Sequence, residues 1–276
     1  MRIHSALSYR QNHVLKKHTN WINCLAEKQC VLISGSLDKT FYFWDIRANF
    51  SMLRKVQSNQ YVCSMHASPL RNIFTSGGND QKLFQFWHLK LKKSLSNYDT
   101  HTGKIQHLIY FIGKGDLVLV GAENNVLRLY QLENAPFEIV QLNEWDLKGG
   151  ISSCALLTEE ALLATSLMKG GVYTLSLNPD TGYAEEHNDS LLNDEKLIKV
   201  SHIVSMPNFS FTKCPYVFLL SANGISLFDV SKNEVVERCD AEHLDWGGFR
   251  GGVFVPRTWQ LWTGSRSGGI TIYDVV

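Results

Sequence analysis

Residues 31–47 read Val-Leu-Ile-Ser-Gly-Ser-Leu-Asp-Lys-Thr-Phe-Tyr-Phe-Trp-Asp-Ile-Arg, two apolar runs either side of a polar hinge at residues 35–39. Both arms are rich in β-branched and aromatic residues, and the hinge holds turn formers, so the pattern predicts a β-hairpin. Similar paired runs recur at 73–78 with 83–87, 117–121 with 126–130, 162–166 with 172–176, 216–221 with 225–229, and 263–267 with 270–274. Further short apolar runs precede the pairs, as at 22–25, 61–65, 151–156 and 200–206. Many short strands at regular spacing predict an all-β fold.

The pairs are related to one another. His18-Thr19-Asn20-Trp21-Ile22 is echoed by His101-Thr102-Gly103-Lys104-Ile105 and by His243-Leu244-Asp245-Trp246. Taking Ser76, Val120, Ser166, Ser221 and Thr263 as counterparts of Ser34, the intervals are 42, 44, 46, 55 and 42. Asp80 and Asn124 stand in the place of Asp38, and Trp87 and Tyr130 in the place of Trp44. Asp80 precedes Trp87 by seven residues where Asp38 precedes Trp44 by six, which predicts a bulge in the second hairpin. Residues 179–195 hold six acidic residues, a proline, a glycine and two asparagines, and read as a long polar loop inside the 55-residue interval.

A His, a Ser, an Asp and a Trp-Asp pair in this order resembles the WD repeat, whose period is about 40–45 residues. The resemblance implies an all-β WD-repeat β-propeller of six blades in a single domain spanning residues 1–276. Its repeats would run approximately 18–59, 60–99, 100–145, 146–190, 191–238 and 239–276. Residues 12–17 would then supply the outer strand that the last repeat lacks, removing exposed sheet edges. Residues 1–9 are left over, either lying on the closed ring or forming part of an incomplete seventh blade to which a partner donates strands. The resemblance also implies that His18, Ser34, Asp38 and Trp44 form a buried hydrogen-bonded set across the first blade. That set is structural, and the His-Ser-Asp grouping is no catalytic triad.

Composition bounds the rest. Aromatic residues make up 11% of the chain and prolines number only six, which argues against disorder. The six cysteines are scattered without a Cys-x-x-Cys pair, as expected of reduced, buried thiols in the cytoplasm or nucleus. Residues 1–17 are too polar for a secretory signal, and no apolar run reaches the ~18 residues of a membrane span. Neither a phosphate-cradling Gly-rich loop nor a Gly-x-Ser-x-Gly elbow is present, and Cys63 with His66 is the nearest approach to a metal pair. The expectation is therefore a non-enzyme without metal or cofactor.

What the residues do suggest is recognition. Trp21, Tyr61, Lys104 and Trp246 occupy equivalent places ahead of their inner strands, which in the resembling family open on the narrow top face. Three aromatics and a lysine there suit a protein hot spot, so a scaffold subunit of an intracellular multiprotein complex is the first reading. Trp44-Asp45-Ile46-Arg47 resembles the WDxR box that docks on the damaged-DNA-binding adaptor of cullin–RING ubiquitin ligases, with Asp45 and Arg47 as its contact residues. Residues 1–100 carry 14 Lys or Arg against 5 Asp or Glu, and residues 101–276 carry 13 against 21. That basic stretch, with Lys16, Lys17, Arg54, Lys55, Lys90, Lys92 and Lys93, suggests as a third reading a non-catalytic RNA-binding partner of a tRNA-modifying enzyme. It lacks interleaved stacking aromatics, so the expected partners are proteins.

Overall fold

The computed structural model describes residues 1–4, 11–68, 70–78, 83–90, 94–99, 104–113, 115–122, 125–133, 138–147, 151–158, 161–166, 172–177, 184–188, 200–206, 216–222, 224–240, 248–265 and 269–275. Among them every regular element is a β-strand. The chain divides into two compact units, Met1–Tyr110 with Asn134–Phe137, and Phe111–Glu133 with Glu138–Val276.

The first unit begins with a two-stranded sheet, β1 (Arg2–His4) against β2 (Gln11–Val14). Two four-stranded antiparallel sheets follow, each in chain order: β3 (Ile22–Lys28), β4 (Val31–Ser36), β5 (Thr40–Asp45) and β6 (Ser51–Gln57), then β7 (Val62–Ala67), β8 (Ile73–Gly78), β9 (Leu83–His88) and β10 (Ser94–Asp99). The next sheet holds β11 (Ile105–Gly113), β12 (Gly115–Ala122), β13 (Val126–Leu132) and β14 (Ile139–Asp146), with the unit boundary falling within β11. The second unit continues with β15 (Ile151–Thr158), β16 (Ala161–Ser166), β17 (Val172–Leu177) and β18 (Ala184–Asn188), then β19 (Val200–Ser205), β20 (Tyr216–Ser221), β21 (Gly224–Asp229) and β22 (Glu234–Asp240). It ends with a three-stranded sheet, β23 (Phe249–Val255), β24 (Gln260–Ser265) and β25 (Ile270–Asp274).

The architecture is thus all-β, built from propeller blades. Among the described residues five of them are complete where six were expected. Among the described residues the last sheet has three strands, and the segment expected to complete it forms β2, which pairs with β1 through Arg2↔Val14, Ile3↔His13 and His4↔Gln11. A hairpin partner a few residues away costs far less loop-closure entropy than one at the far end of the chain. Within residues 179–195 the loop reading is corrected at Ala184–Asn188, which form β18, pairing with β17 through Thr174↔Asn188, Leu175↔His187 and Leu177↔Ala184, and the rest of that stretch lies outside the described residues. An outermost strand needs no apolar residues, so its acidic composition disguised it as loop.

The register moves two of the repeat counterparts. Measured from the pairs Val31↔Asp45, Ile73↔His88, Leu117↔Gln131, Ala161↔Ser176, Tyr216↔Asp229 and Gln260↔Asp274, the place of Ser34 falls to Ala164 and Leu219 instead of Ser166 and Ser221. The intervals become 42, 44, 44, 55 and 44. The β8–β9 ladder runs without a shift from Ile73↔His88 to Gly77↔Phe84, so the extra residue of the second hairpin lies in residues 79–82, outside the described ones.

Burial explains why hairpin arms read as continuous apolar runs. Phe41, Phe43 and Trp44 of β5 are all buried although neighbours on a strand face opposite ways, because both faces of the sheet are covered. In the first unit Phe41 packs edge-on against Phe74 at 5.3 Å and Trp87 at 5.0 Å, and Val56, Val62 and Met65 complete the cluster. Burying each such ring contributes about 1.5–3 kcal/mol. Two further clusters lie in the second unit, one around Val200, Val217 and Phe228, the other around Phe218, Leu220, Phe249 and Phe254. Cys154 is buried, which raises its thiol pKa to about 12, but Cys30 and Cys239 are exposed, against the expectation of uniformly buried thiols.

Adjacent blades interlock by a recurring device. The inner strands β3, β7, β15, β19 and β23 all shift register immediately after their first residue. In three of them, β3, β15 and β19, the bulged second residue donates to the next inner strand: Asn23 Nδ2 to the Val62 carbonyl at 3.1 Å, Ser152 Oγ to Val200 at 2.7 Å, Ser201 Oγ to Phe249 at 3.2 Å. In the first unit the first residue of the next inner strand fits over a glycine. A Cβ on Gly35 would stand 2.6 Å from Val62 Cγ1, and one on Gly77 would collide with Ile105.

Candidate interaction face

The first blade builds its loop end around His18. His18 Nδ1 lies 2.8 Å from Asp38 Oδ2, His18 Nε2 lies 2.8 Å from Ser34 Oγ, and the Trp44 indole N–H donates to Ser34 Oγ at 3.0 Å. Assigned from this network, the serine hydroxyl donates to Nε2 while Nδ1–H donates to the carboxylate. Asp38 also accepts from the backbone N–H groups of Thr19 at 2.9 Å and Thr40 at 3.0 Å, and from the Thr40 hydroxyl. Burial alone would raise the Asp38 carboxyl, but the bonds from Thr40, Thr19 and His18 outweigh it and hold the pKa below the ordinary value. Both partners are nearly enclosed, with side chains 3% and 7% exposed, so this site has no room for a substrate.

The other blades answer the same problem differently. The second keeps half the set, with the Trp87 indole N–H on Ser76 Oγ at 2.9 Å, and substitutes a chain of Ser58, Gln85 and Asn97. In the sixth sheet Tyr273 hydrogen-bonds to Thr263 in place of the Trp–Ser pair. Val120 and Leu219 make the corresponding positions of the third and fifth apolar, both without exposed surface. Asp80, Asn124 and His243 lie outside the described residues, as do Lys92, Lys93 and the cysteine at 214.

That scaffold presents a surface. The Trp21 carbonyl accepts from Leu37 N–H at 2.9 Å, and its own N–H donates to Asn20 Oδ1 at 2.8 Å, which fixes the backbone of the turn. Its indole nevertheless stands 66% exposed, more than any other large apolar side chain described. Tyr61 is half-buried, with Lys39 Nζ 4.5 Å from its ring centroid. Lys39 is set by a left-handed backbone (φ 63°), and its carbonyl accepts from Ser58 N–H at 2.8 Å. The structure therefore brings Trp21, Lys39 and Tyr61 to one end of the first unit. Lys104 is half-buried at the start of β11, and Trp246 lies outside the described residues. Lys39 was absent from the sequence-derived set, although it directly follows Asp38.

The opposite end of the first blade carries the WDxR segment. Asp45 Oδ1 accepts from the backbone N–H groups of Arg47 at 2.9 Å and Ala48 at 3.2 Å, so its first task is to shape the turn. The Arg47 side chain is 76% exposed, its Nε 3.9 Å from Asp45 Oδ1. The cations of β6 behave otherwise: Arg54 lies over Phe43 at 3.9 Å and Lys55 over Tyr42 at 5.7 Å, covering rings of their own sheet. Among the described residues no group of three or more His, Cys, Asp or Glu is placed to hold a metal ion, and no helix is long and apolar enough to cross a membrane.

Residues 9–45, which include His18, Ser34, Asp38 and Trp44, match the family model described as WD domain, G-beta repeat. No curated protein matches the chain.

Proposed function

We propose that this chain, a β-propeller protein of the WD-repeat family, works as a non-enzymatic scaffold for protein–protein interaction within an intracellular multiprotein complex. Propellers of this family generally bind other proteins, and the observation that carries the reading here is Trp21. A large aromatic held by its backbone with its ring in solvent loses little conformational freedom on binding and offers wide contact area, the character of an interface anchor. The test is affinity purification with mass spectrometry from cells carrying wild-type chain or the Trp21→Ala/Trp246→Ala double variant. Co-purifying proteins should be lost from the variant while its circular dichroism and melting stay unchanged. An unchanged partner set from a folded variant would refute docking at this face.

A second reading rests on Arg47. Its extended exposure leaves the guanidinium available for docking on a cullin–RING adaptor, which would make the chain a substrate receptor. Arg47→Ala should then abolish co-purification with the adaptor without affecting stability, and retention of the adaptor would end this reading. The β6 cations give no matching support to RNA binding, since Arg54 and Lys55 cover Phe43 and Tyr42 and leave those rings unable to stack on bases.

A further inference from the structure

We propose that the open edge of the last sheet, at β25, receives an extended segment of a partner protein as its fourth strand. The segment reads Leu or Val, two polar residues, one apolar residue, then Asp or Gln.

The outermost strands of four complete sheets share that pattern. Residues 53–57, 95–99, 142–146 and 236–240 read Leu-Arg-Lys-Val-Gln, Leu-Ser-Asn-Tyr-Asp, Leu-Asn-Glu-Trp-Asp and Val-Glu-Arg-Cys-Asp. Their register accounts for it. In each ladder the leading Leu or Val is skipped by the pairing, which makes it the extra residue of a β-bulge. The apolar residue three places on lies opposite Phe41, Phe84, Leu127 or Ile225 of the third strand. The two polar residues lie opposite the next two positions of that strand.

β25 belongs to the same series. By the pairs Val31↔Asp45 and Gln260↔Asp274, Ile270 stands in the place of Phe41 and Ile272 in that of Phe43. Phe41 and Leu127 have no exposed surface and Ile225 only 6%, but Ile270 is 48% exposed. Among the described residues no strand pairs with the outer side of β25. Val275 N–H donates to the Trp259 carbonyl at 2.9 Å, and Ser265 N–H donates to the Gly269 carbonyl at 2.9 Å. The β24–β25 ladder runs between these bonds without a shift, so backbone direction alternates along it. Thr271 and Tyr273 therefore turn their N–H and carbonyl groups to β24, while Ile270 and Ile272 turn theirs to the open edge. An apolar strand with its backbone groups directed outward is a template for strand addition.

No further segment of this chain carries the pattern. Across the 276 residues it occurs at those four places, each already an outermost strand. Leu-Lys-Lys at residues 15–17 begins it, but His18 stands where the apolar residue belongs and is bonded to Asp38 and Ser34.

The probe is a synthetic peptide of residues 138–147, which holds Leu-Asn-Glu-Trp-Asp, added to the full chain. Amide exchange at Ile270 and Ile272, fast in the chain alone, should slow at least roughly tenfold with the peptide, and Thr271 and Tyr273 should change little. In its parent sheet Leu147 N–H donates to Asn125 at 3.0 Å, so by alternation the amides of Asn143 and Trp145 also face the third strand. A peptide N-methylated at those two amides, or a scrambled one, should bind at least roughly tenfold more weakly by fluorescence titration. Ile272→Pro removes an outward N–H and no bond to β24, and should weaken binding to a similar degree. If that variant loses its circular dichroism, the N-methylated peptide decides. Slow exchange at Ile270 and Ile272 in the chain alone would mean that the chain itself or a second copy fills the edge. That result, no binding, equal binding of the scrambled or N-methylated peptide, or binding that leaves both amides fast would each overturn the proposal. Its failure leaves the reading of the Trp21 face standing, because the two concern different sheets.

Discussion

At the scale of single residues, the His18 network shows how a polar group earns a place inside a sheet. Ser34 has no exposed surface and its oxygen serves both the Trp44 indole and the His18 imidazole, so leaving either unpaired would cost about 1–3 kcal/mol. Asp38 makes the same network sensitive to acid. Burial opposes its ionised form, but hydrogen bonds from Thr40, Thr19 and His18 prevail and keep its folded-state pKa below the unfolded value of about 3.9. A depressed carboxyl pKa contributes stability that is present above the unfolded value and is lost as pH falls through the folded one. Urea melts of wild type and Asp38→Asn should therefore show their stability difference steady from about pH 7 to pH 5 and shrinking below about pH 4. A difference that stayed constant to pH 3 would show that the carboxylate's charge contributes nothing there. Asp229 has a similarly depressed pKa from Ser231 and Lys232, so only the difference between variants isolates Asp38.

At the scale of strands and sheets, the blade junctions turn on glycines that appear equivalent in sequence and differ in space. Gly35 and Gly77 follow Ser34 and Ser76, and each is roofed by the first residue of the next inner strand. Gly264 holds the same register position after Thr263, yet a Cβ there would meet nothing within 4 Å. Gly35→Ala and Gly77→Ala should each lose about 1–3 kcal/mol in urea unfolding, because Val62 or Ile105 must give way in a packed core. Gly264→Ala should stay within about 0.5 kcal/mol of wild type or gain slightly through a less flexible unfolded chain. Equal losses at all three would mean that the backbone and not the neighbouring blade decides. This contrast also marks how far the chain could be read in advance. The hairpins were legible because a sheet covered on both faces requires apolar arms, as at β4 with β5 and β20 with β21. His18, Ser34, Asp38 and Trp44 could be picked out because a network of four polar partners tolerates few other residue types. Ala164 and Leu219 were misplaced by two residues because an apolar residue in that place carries no such mark. The inter-blade bulges were invisible for the opposite reason: Asn23, Ser152 and Ser201 share only a donor, which many polar residues can supply.

At the scale of the whole molecule, a net charge of +1 conceals a strong separation. The first unit holds 15 basic and 5 acidic residues, and the second 12 and 21. Net charge governs the mean repulsion between copies, and here it is too small to keep them apart. The attraction between the basic unit of one copy and the acidic unit of another then has little to oppose it at low ionic strength. Screening weakens attraction between surface charges once the Debye length falls to about 10 Å, near 0.1 M salt. Sedimentation velocity should accordingly show a weight-average coefficient that rises with protein concentration at about 20 mM salt and becomes flat at about 300 mM. Lys16→Glu/Lys17→Glu should reduce the rise by removing positive charge from the first unit without touching its core, since both side chains are exposed. Association that persists undiminished at high salt would have to come from apolar contact instead, and the exposed Trp21 would then be the residue to test, by asking whether Trp21→Ala abolishes it.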